Sequence, residues 1–302
     1  MALGISVVIP SYNCLEYLPL ALQSVWQQTE AAAEVWVVDD GSDDGTIDYL
    51  QQQQLHHPNL FYLRLERVGV SAARNAAIAL CRCPWIAFLD ADDVWTPDKL
   101  RLQRRLLQQQ PHIALLFSNY QHIDEQRRAI VDCFSYWPRF QRQLQLPAQR
   151  VSLTDILAEN VVGTSTVIAS KAALLRSGGF DTQLGSASDW DLWLKLAQTG
   201  AVWCQQQQLM EYLMRANSIS CKRLNRLQAM AAIIERHQHH SDENGVQCAQ
   251  AALARGYSEY HEEMGQYWLA LKYQLATFNH HLPLKNLKRS AALCLRGLSH
   301  TS

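Results

Sequence analysis

At 302 residues, with 48% hydrophobic and 18% charged side chains, the chain is long enough to bury one large core plus an appendage without covalent staples. A formal net charge of −1 lacks the electrostatic footprint of a nucleic-acid binder, so nucleic acid is not an expected partner. The eight cysteines form neither C-x-x-C pairs nor zinc-type spacings, and no run approaches the roughly 20 apolar residues that span a bilayer. Reduced thiols in a cytoplasmic protein are the expectation, and the Met1-Ala2-Leu3 start, which lacks the basic and apolar regions of a signal peptide, agrees with it.

Residues 5–9 are a largely β-branched run in which only Ser6 is polar, which predicts a strand buried on both faces in a parallel sheet. Residues 15–28 carry Leu18, Leu22 and Val25 at helical spacing, and 34–38 return to strand character. A helix is expected over 42–54, entered through Asp43 and Asp44, then a strand over 60–65 and an alanine-rich helix over 71–81. A fourth strand spans 85–89. Thr96 before Pro97 pairs a capping hydroxyl with proline at a first helical position, so a helix should run to about Gln110, before Pro111. Residues 113–117 give a fifth strand. Such alternation predicts a doubly wound α/β fold whose ligands sit at the carboxyl ends of the strands. Over 131–151 the pattern breaks into Pro, Gln, Arg and aromatics, expected as a loop-rich insertion rather than a domain boundary. A short helix near 153–159, a strand near 166–169 and a helix near 189–198 follow, and beyond about Cys221 the chain reads as helical. Residues 51–54 and 205–208 are short glutamine tracts.

Three acidic clusters fall where strands end. Asp39-Asp40-Gly41-Ser42-Asp43-Asp44-Gly45-Thr46 puts carboxylates after a buried strand, with glycines that permit a tight turn. These carboxylates can accept from ribose hydroxyls or a base N–H, or serve as helix caps. Asp90-Ala91-Asp92-Asp93 crowds three carboxylates at one strand tip, which is unfavourable without a cation. Oxygen-rich, imidazole-free ligation of this kind suits Mg²⁺ or Mn²⁺, which share their shell with water and diphosphate oxygens. Ser188-Asp189-Trp190-Asp191 opens an amphipathic helix whose carboxylates can act as a general base or complement the helix dipole. Trp190 and Trp193, three residues apart on this helix, fit either ligand stacking or core packing.

Together with Ser6-Val7-Val8-Ile9-Pro10-Ser11-Tyr12-Asn13 and Gly69-Val70-Ser71-Ala72-Ala73-Arg74-Asn75, these clusters resemble, in order and spacing, the motifs of family 2 glycosyltransferases over roughly residues 4–220. The resemblance implies a GT-A fold: a Rossmann-like, mostly parallel sheet flanked by helices, with a nucleotide-binding half over about 1–120 and an acceptor half over about 121–220. A helical C-terminal region follows at 221–302. It implies transfer of a sugar, with inversion, from a nucleotide-diphosphate donor to a saccharide or lipid-linked acceptor, with uridine diphosphate the commonest donor nucleotide and Mn²⁺ or Mg²⁺ as cofactor. Pro10, Tyr12 and Asp40 would meet the base and ribose, with Asn13 and Asp39 beside them and Arg74 near the diphosphate. Asp92 and Asp93, led by Asp90, match the metal-binding signature, with Asp90, Ala91 and Asp92 along the donor. Asp189 matches the base. Ser188 stands where the family often has Glu, which leaves Asp189 and Asp191 both open as the base. Arg215 matches a segment that often reads Arg-x-His and approaches the diphosphate, but the His is missing. Gly163-Thr164-Ser165-Thr166 and Ser177-Gly178-Gly179-Phe180-Asp181 would form an acceptor-side loop whose small residues admit a sugar.

His237-Gln238-His239-His240 lacks partners of a metal site and is expected as a solvated loop. Residues 257–283 faintly resemble one helical hairpin of tetratricopeptide type, which cannot bury its own face alone. Leu284, Leu287, Ala291, Leu295 and Leu298 beside Lys285, Lys288, Arg289 and Arg296 make a basic amphipathic pattern, either packed on the fold or resting on anionic lipid at the inner face of the membrane. Two other classes remain: a sugar nucleotidyltransferase, which would want a Gly-rich basic loop where Pro10-Ser11-Tyr12-Asn13 stands, and a non-catalytic sugar-nucleotide-binding scaffold, against which the intact carboxylates argue.

Overall fold

The computed structural model describes residues 3–110, 112–214, 223–277, 289–294 and 296. It divides into two compact units, one of Met1–Ser152, Val161–Gln183 and Ser188–Ala216, the other of Leu153–Asn160, Leu184–Ala187 and Asn217–Ser302.

The first unit is built on one sheet. Strands β1 (Ile5–Ser11), β2 (Glu34–Asp39), β3 (Leu60–Arg64) and β4 (Trp85–Phe88) run parallel in the order β3-β2-β1-β4, joined by helices α1 (Leu18–Trp26), α2 (Thr46–Gln54) and α3 (Val70–Leu80). Every residue of β1 is buried, as its largely β-branched run predicts, and the Ser6 hydroxyl is accommodated by donating to Glu34. The chain leaves β1 for β2 and β3 on one side and reaches β4 on the other, so its strand order reverses at β1. A ligand crevice belongs outside the carboxyl ends of such strands.

Beyond β4 the sheet is mixed. Strand β9 (Ile168–Ser170) inserts antiparallel between β4 and β6 (Ile113–Ile123), and β10 (Ala201–Leu213) runs parallel to β6. The edge strands β5 (Val94–Trp95) and β8 (Ala148–Val151) pair antiparallel with β10, and β7 (Ala129–Asp132) with β6. Helix α4 (Lys99–Gln109) starts later than its Thr96-Pro97 signal: the Thr96 hydroxyl is buried and caps nothing.

The expected loop over 131–151 is instead ordered. Asp132 caps α5 (Cys133–Tyr136), accepting from Ser135 N–H at 2.8 Å, and Pro138 opens α6 (Pro138–Gln143). Phe134 and Phe140 pack on Phe117, so the aromatics are core. The 205–208 glutamine tract lies inside β10, where bulges interrupt its register with β6. Helices α8 (Lys171–Arg176) and α9 (Ser188–Thr199) complete this unit.

In the second unit α7 (Leu153–Ala158) and α10 (Arg223–His237) pack on α11 (Glu243–Glu263), which turns at Gly265 (φ +71°) into α12 (Tyr267–Ala276). The α11–α12 hairpin is closed by stacked Tyr257, His261 and Tyr273. His237 ends α10 buried rather than solvated, and only Gln238–His240 form an exposed 3₁₀ turn. Most of the basic amphipathic stretch over 284–298 lies outside the described residues.

Candidate active site

The loops leaving β1 and β2 are laced together. Asn13, in the left-handed region at φ 48°, donates its N–H to Ser42 Oγ at 2.9 Å and accepts from Asp43 N–H at 3.0 Å. Asp44 accepts from Leu15 N–H and from Thr46, so 42–45 is a tied turn and α2 begins only at Thr46. Pro10 is buried in β1, while Tyr12 is 45% exposed at the mouth, under the Arg67 guanidinium.

The two adjacent carboxylates divide their tasks. Asp40 accepts from Val68 N–H at 2.7 Å and Gly69 N–H at 2.8 Å, so both its oxygens hold the entry to α3. Asp39 is fully buried; its Oδ2 accepts from Ser42 N–H at 3.1 Å, but Oδ1 has no hydrogen-bond partner among the described residues. A buried acceptor without a donor costs about 1–3 kcal/mol, and a missing ligand donor would explain it.

Arg74, on α3 and 6% exposed, donates to Asp90 Oδ1 at 2.5 Å and lies over the Phe180 ring, with its Nε unpartnered among the described residues. Asp90 N–H donates to Ser165 Oγ at 2.9 Å, and that hydroxyl donates to Asp93 Oδ2 at 2.5 Å. Asp93 also accepts from Leu213 N–H and is turned inward; burial first, then repulsion from Asp92 and Asp90, pushes its carboxyl well above the usual range. Ala91 is buried and Asp92 half-buried. Among the described residues no three Asp, Glu, His or Cys side chains converge into a closed metal site. The neighbouring carboxylates of Asp90 and Asp92 are a donor set of the kind that fits an ion which takes one or two carboxylates and completes its shell with water and diphosphate oxygens, as Mg²⁺ and Mn²⁺ do.

Helix α9 presents the third cluster. Asp189 is half-buried, its Oδ2 accepting from Thr164 Oγ1 at 2.8 Å and its Oδ1 from Trp190 N–H at 2.8 Å. Asp191 is fully buried and ion-paired with Lys195 Nζ at 2.7 Å. Trp193 packs on Phe88 and Phe180, and both tryptophans belong to the core rather than to a sugar platform. Ser188, where a Glu is common, shares a buried 2.8 Å hydrogen bond with Ser71 at the start of α3.

Two of the small residues expected to admit a sugar, Gly163 and Gly179, stand against protein, whereas Gly178 has open space around it. A Cβ at Gly163 would lie 2.7 Å from Tyr120, and one at Gly179 would lie 2.5 Å from Asn75 Oδ1. Asn75 exchanges hydrogen bonds with the Phe180 backbone N–H and C=O. Ser71, Asn75, Thr164 and Ser165, which the sequence places only as members of longer motifs without individual roles, thus join the site; hydroxyls and amides of this kind have no sequence signature beyond their place in a motif. Arg215 lies outside the described residues.

A model described as "Glycosyl transferase family 2" matches residues 6–162, just over half of the chain. The chain belongs to the family 2 glycosyltransferases. Among relatives, this glycosyltransferase is 30% identical over 219 residues to a putative teichuronic acid biosynthesis glycosyltransferase of Bacillus subtilis, covering 72% of the chain and 81% of that protein. It is 29% identical over 196 residues to chondroitin synthase of Escherichia coli, covering 65% of the chain but only 27% of that longer protein. The chain thus spans about a quarter of the length of that synthase. In structure it is similar to S. aureus TarS (residues 1–349) in complex with UDP-GlcNAc, at a TM-score of 0.65 and 20% identity over 98% of the chain and 86% of that structure. The fold is GT-A.

Proposed function

We propose that this glycosyltransferase is inverting and metal-dependent. In this reading it moves a sugar from a nucleotide-diphosphate donor, a UDP-sugar, to a hydroxyl of a saccharide or lipid-linked acceptor in surface polysaccharide or glycolipid synthesis. The observation that carries this reading is the convergence on α3. Its entry is held by Asp40, Arg74 grips Asp90, and Ser71 bonds the residue preceding Asp189. These contacts support a reading in which donor, cation and base functions lie together at the carboxyl ends of the strands, where ligands are favoured in this fold.

The unpartnered Asp39 Oδ1 is the acceptor for a base N–H, and Tyr12, Pro10 and Asn13 frame the base beside it. Arg74 Nε is a spare donor for a diphosphate oxygen, and Arg215 is assigned there too. Asp92, with Asp90 beside it, is the ligand for Mn²⁺ or Mg²⁺, while Asp93 steadies the loop. When bound, the ion neutralises charge on the departing diphosphate. Asp189 takes the proton of the attacking hydroxyl as the new C–O bond forms on the face opposite the diphosphate, which leaves with its bonding electrons. Asp191, committed to Lys195, does not serve.

No helix among the described residues is long and apolar enough to cross a membrane; any peripheral membrane contact is assigned to 284–298, where Arg289 and Arg296 are ion-paired with Glu259 and Glu262. The test is release of nucleoside diphosphate from UDP-, GDP- and dTDP-sugars with Mn²⁺ or Mg²⁺. One donor should be hydrolysed slowly, EDTA should abolish the release, and Asp92→Ala should lower it by about 100-fold. Absence of binding and hydrolysis across the panel would contradict the reading.

A further inference from the structure

Two neighbouring hydroxyls bridge the acidic loop and the base. Ser165 Oγ accepts from Asp90 N–H and donates to Asp93 Oδ2, while Thr164 Oγ1 donates to Asp189 Oδ2 at 2.8 Å. Both side chains are buried. The segment that carries them is held at every carbonyl. Gly163 C=O accepts from Thr166 N–H and Thr166 Oγ1, and Thr164 C=O accepts from Val167 N–H. Ser165 C=O accepts from Trp95 Nε1–H at 2.7 Å, and Thr166 C=O from Gln103 Nε2–H at 2.9 Å. Gly163 is locked against the Tyr120 ring. A turn fixed in this way leaves its two hydroxyls little freedom, which is how a rigid supporting shell holds reacting groups in place.

We propose that Thr164 and Ser165 are a positioning pair for the transfer. Ser165 holds the Asp90–Asp93 loop, Thr164 holds the carboxylate of the base, and the single peptide between them sets the spacing of cation and base across the anomeric carbon. The pair rests on Asp189 being the base. Consecutive Cα atoms stand 3.8 Å apart across a trans peptide, so the hydroxyl-bearing residues cannot drift separately.

The experiment uses the full chain with Mn²⁺ and the UDP-sugar that the wild type hydrolyses fastest, comparing Thr164→Val, Thr164→Ala, Thr164→Ser, Ser165→Ala and Asp189→Asn. Thr164→Val should lower kcat by roughly 10- to 100-fold, because misplacing a catalytic group by about 1 Å has an effect of this order. KM for the donor and Kd for UDP should stay within about twofold, and Thr164→Ser should recover most of kcat, because Ser keeps the hydroxyl. Ser165→Ala should instead weaken Mn²⁺-dependent UDP binding. Should Thr164→Val fail to fold, Thr164→Ala gives the same comparison with a smaller side chain. If Asp189→Asn is inactive while Thr164→Val and Thr164→Ala keep wild-type kcat and Ser165→Ala keeps wild-type Mn²⁺-dependent UDP binding, the positioning role is overturned and the base stands. If Asp189→Asn keeps full activity, the base assignment falls and the role of Thr164 falls with it.

Discussion

Asp39→Asn separates recognition from stability. In the folded chain Asp39 Oδ2 is engaged by Ser42 N–H, and Oδ1 is a buried acceptor without a donor. The Asn variant can keep the first bond through its amide oxygen while placing an NH₂ group where Oδ1 stood. Toward a base N–H the site then offers a donor in place of a charged acceptor. A hydrogen bond to a charged group contributes about 1.5–3 kcal/mol, and every 1.4 kcal/mol is a factor of ten. UDP affinity should therefore fall by roughly 10- to 150-fold, as read by titration calorimetry with Mn²⁺ present. Ligand-free stability should move the other way, rising by about 1 kcal/mol in urea unfolding, because a buried unpaired charge is more costly than a buried amide. An affinity within twofold of wild type would refute the placement of the base against Asp39. Parallel losses of affinity and stability would mean that Asp39 is a structural cap.

Gly179→Ala should destabilise the fold by about 3–5 kcal/mol. Its φ of +71° costs a side chain about 1–2 kcal/mol, and the new Cβ would displace Asn75 from its two bonds to Phe180. Gly178→Ala, at φ +80° with open space around it, should cost only the first part; equal losses in urea unfolding would show that the clash does not matter. Acid should weaken the nucleotide half through Glu34. Burial alone would raise its carboxyl, but hydrogen bonds from Ser6 and Arg82 and the charge of Arg82 outweigh burial and hold it lowered. A carboxyl lowered by folding stabilises above its unfolded value and loses that contribution as the pH falls through its folded value. Wild-type stability should thus drop below about pH 4.5, and Glu34→Gln should flatten that slope in a pH series of thermal melts.

The parallel nucleotide half was legible because its central strands are buried on both faces and spell largely β-branched apolar stretches, as Ile5 to Ile9 does with only Ser6 polar. The acceptor half was less so. In β10, Gln205 to Gln208 carry no apolar alternation because bulges break their pairing, and α5 and α6 are too short to establish a period. The acidic clusters could be read as chemistry, but their division of labour could not. Asp39 differs from Asp40, and Asp189 from Asp191, only in which backbone N–H or lysine reaches each carboxylate. The hydroxyls of Thr164 and Ser165 acquire their role from partners tens of residues distant, Asp189 and Asp90, and no local pattern announces such pairs.

The central claim is a single displacement driven by Asp189 from the side opposite the departing diphosphate. Proton NMR of the reaction, recorded before mutarotation, reads it directly from the first-formed anomer of the released or transferred sugar. An α-linked UDP-sugar should give the β anomer first, and Asp189→Asn should give none. First appearance of the α anomer would contradict the account, since a single in-line displacement inverts the anomeric centre.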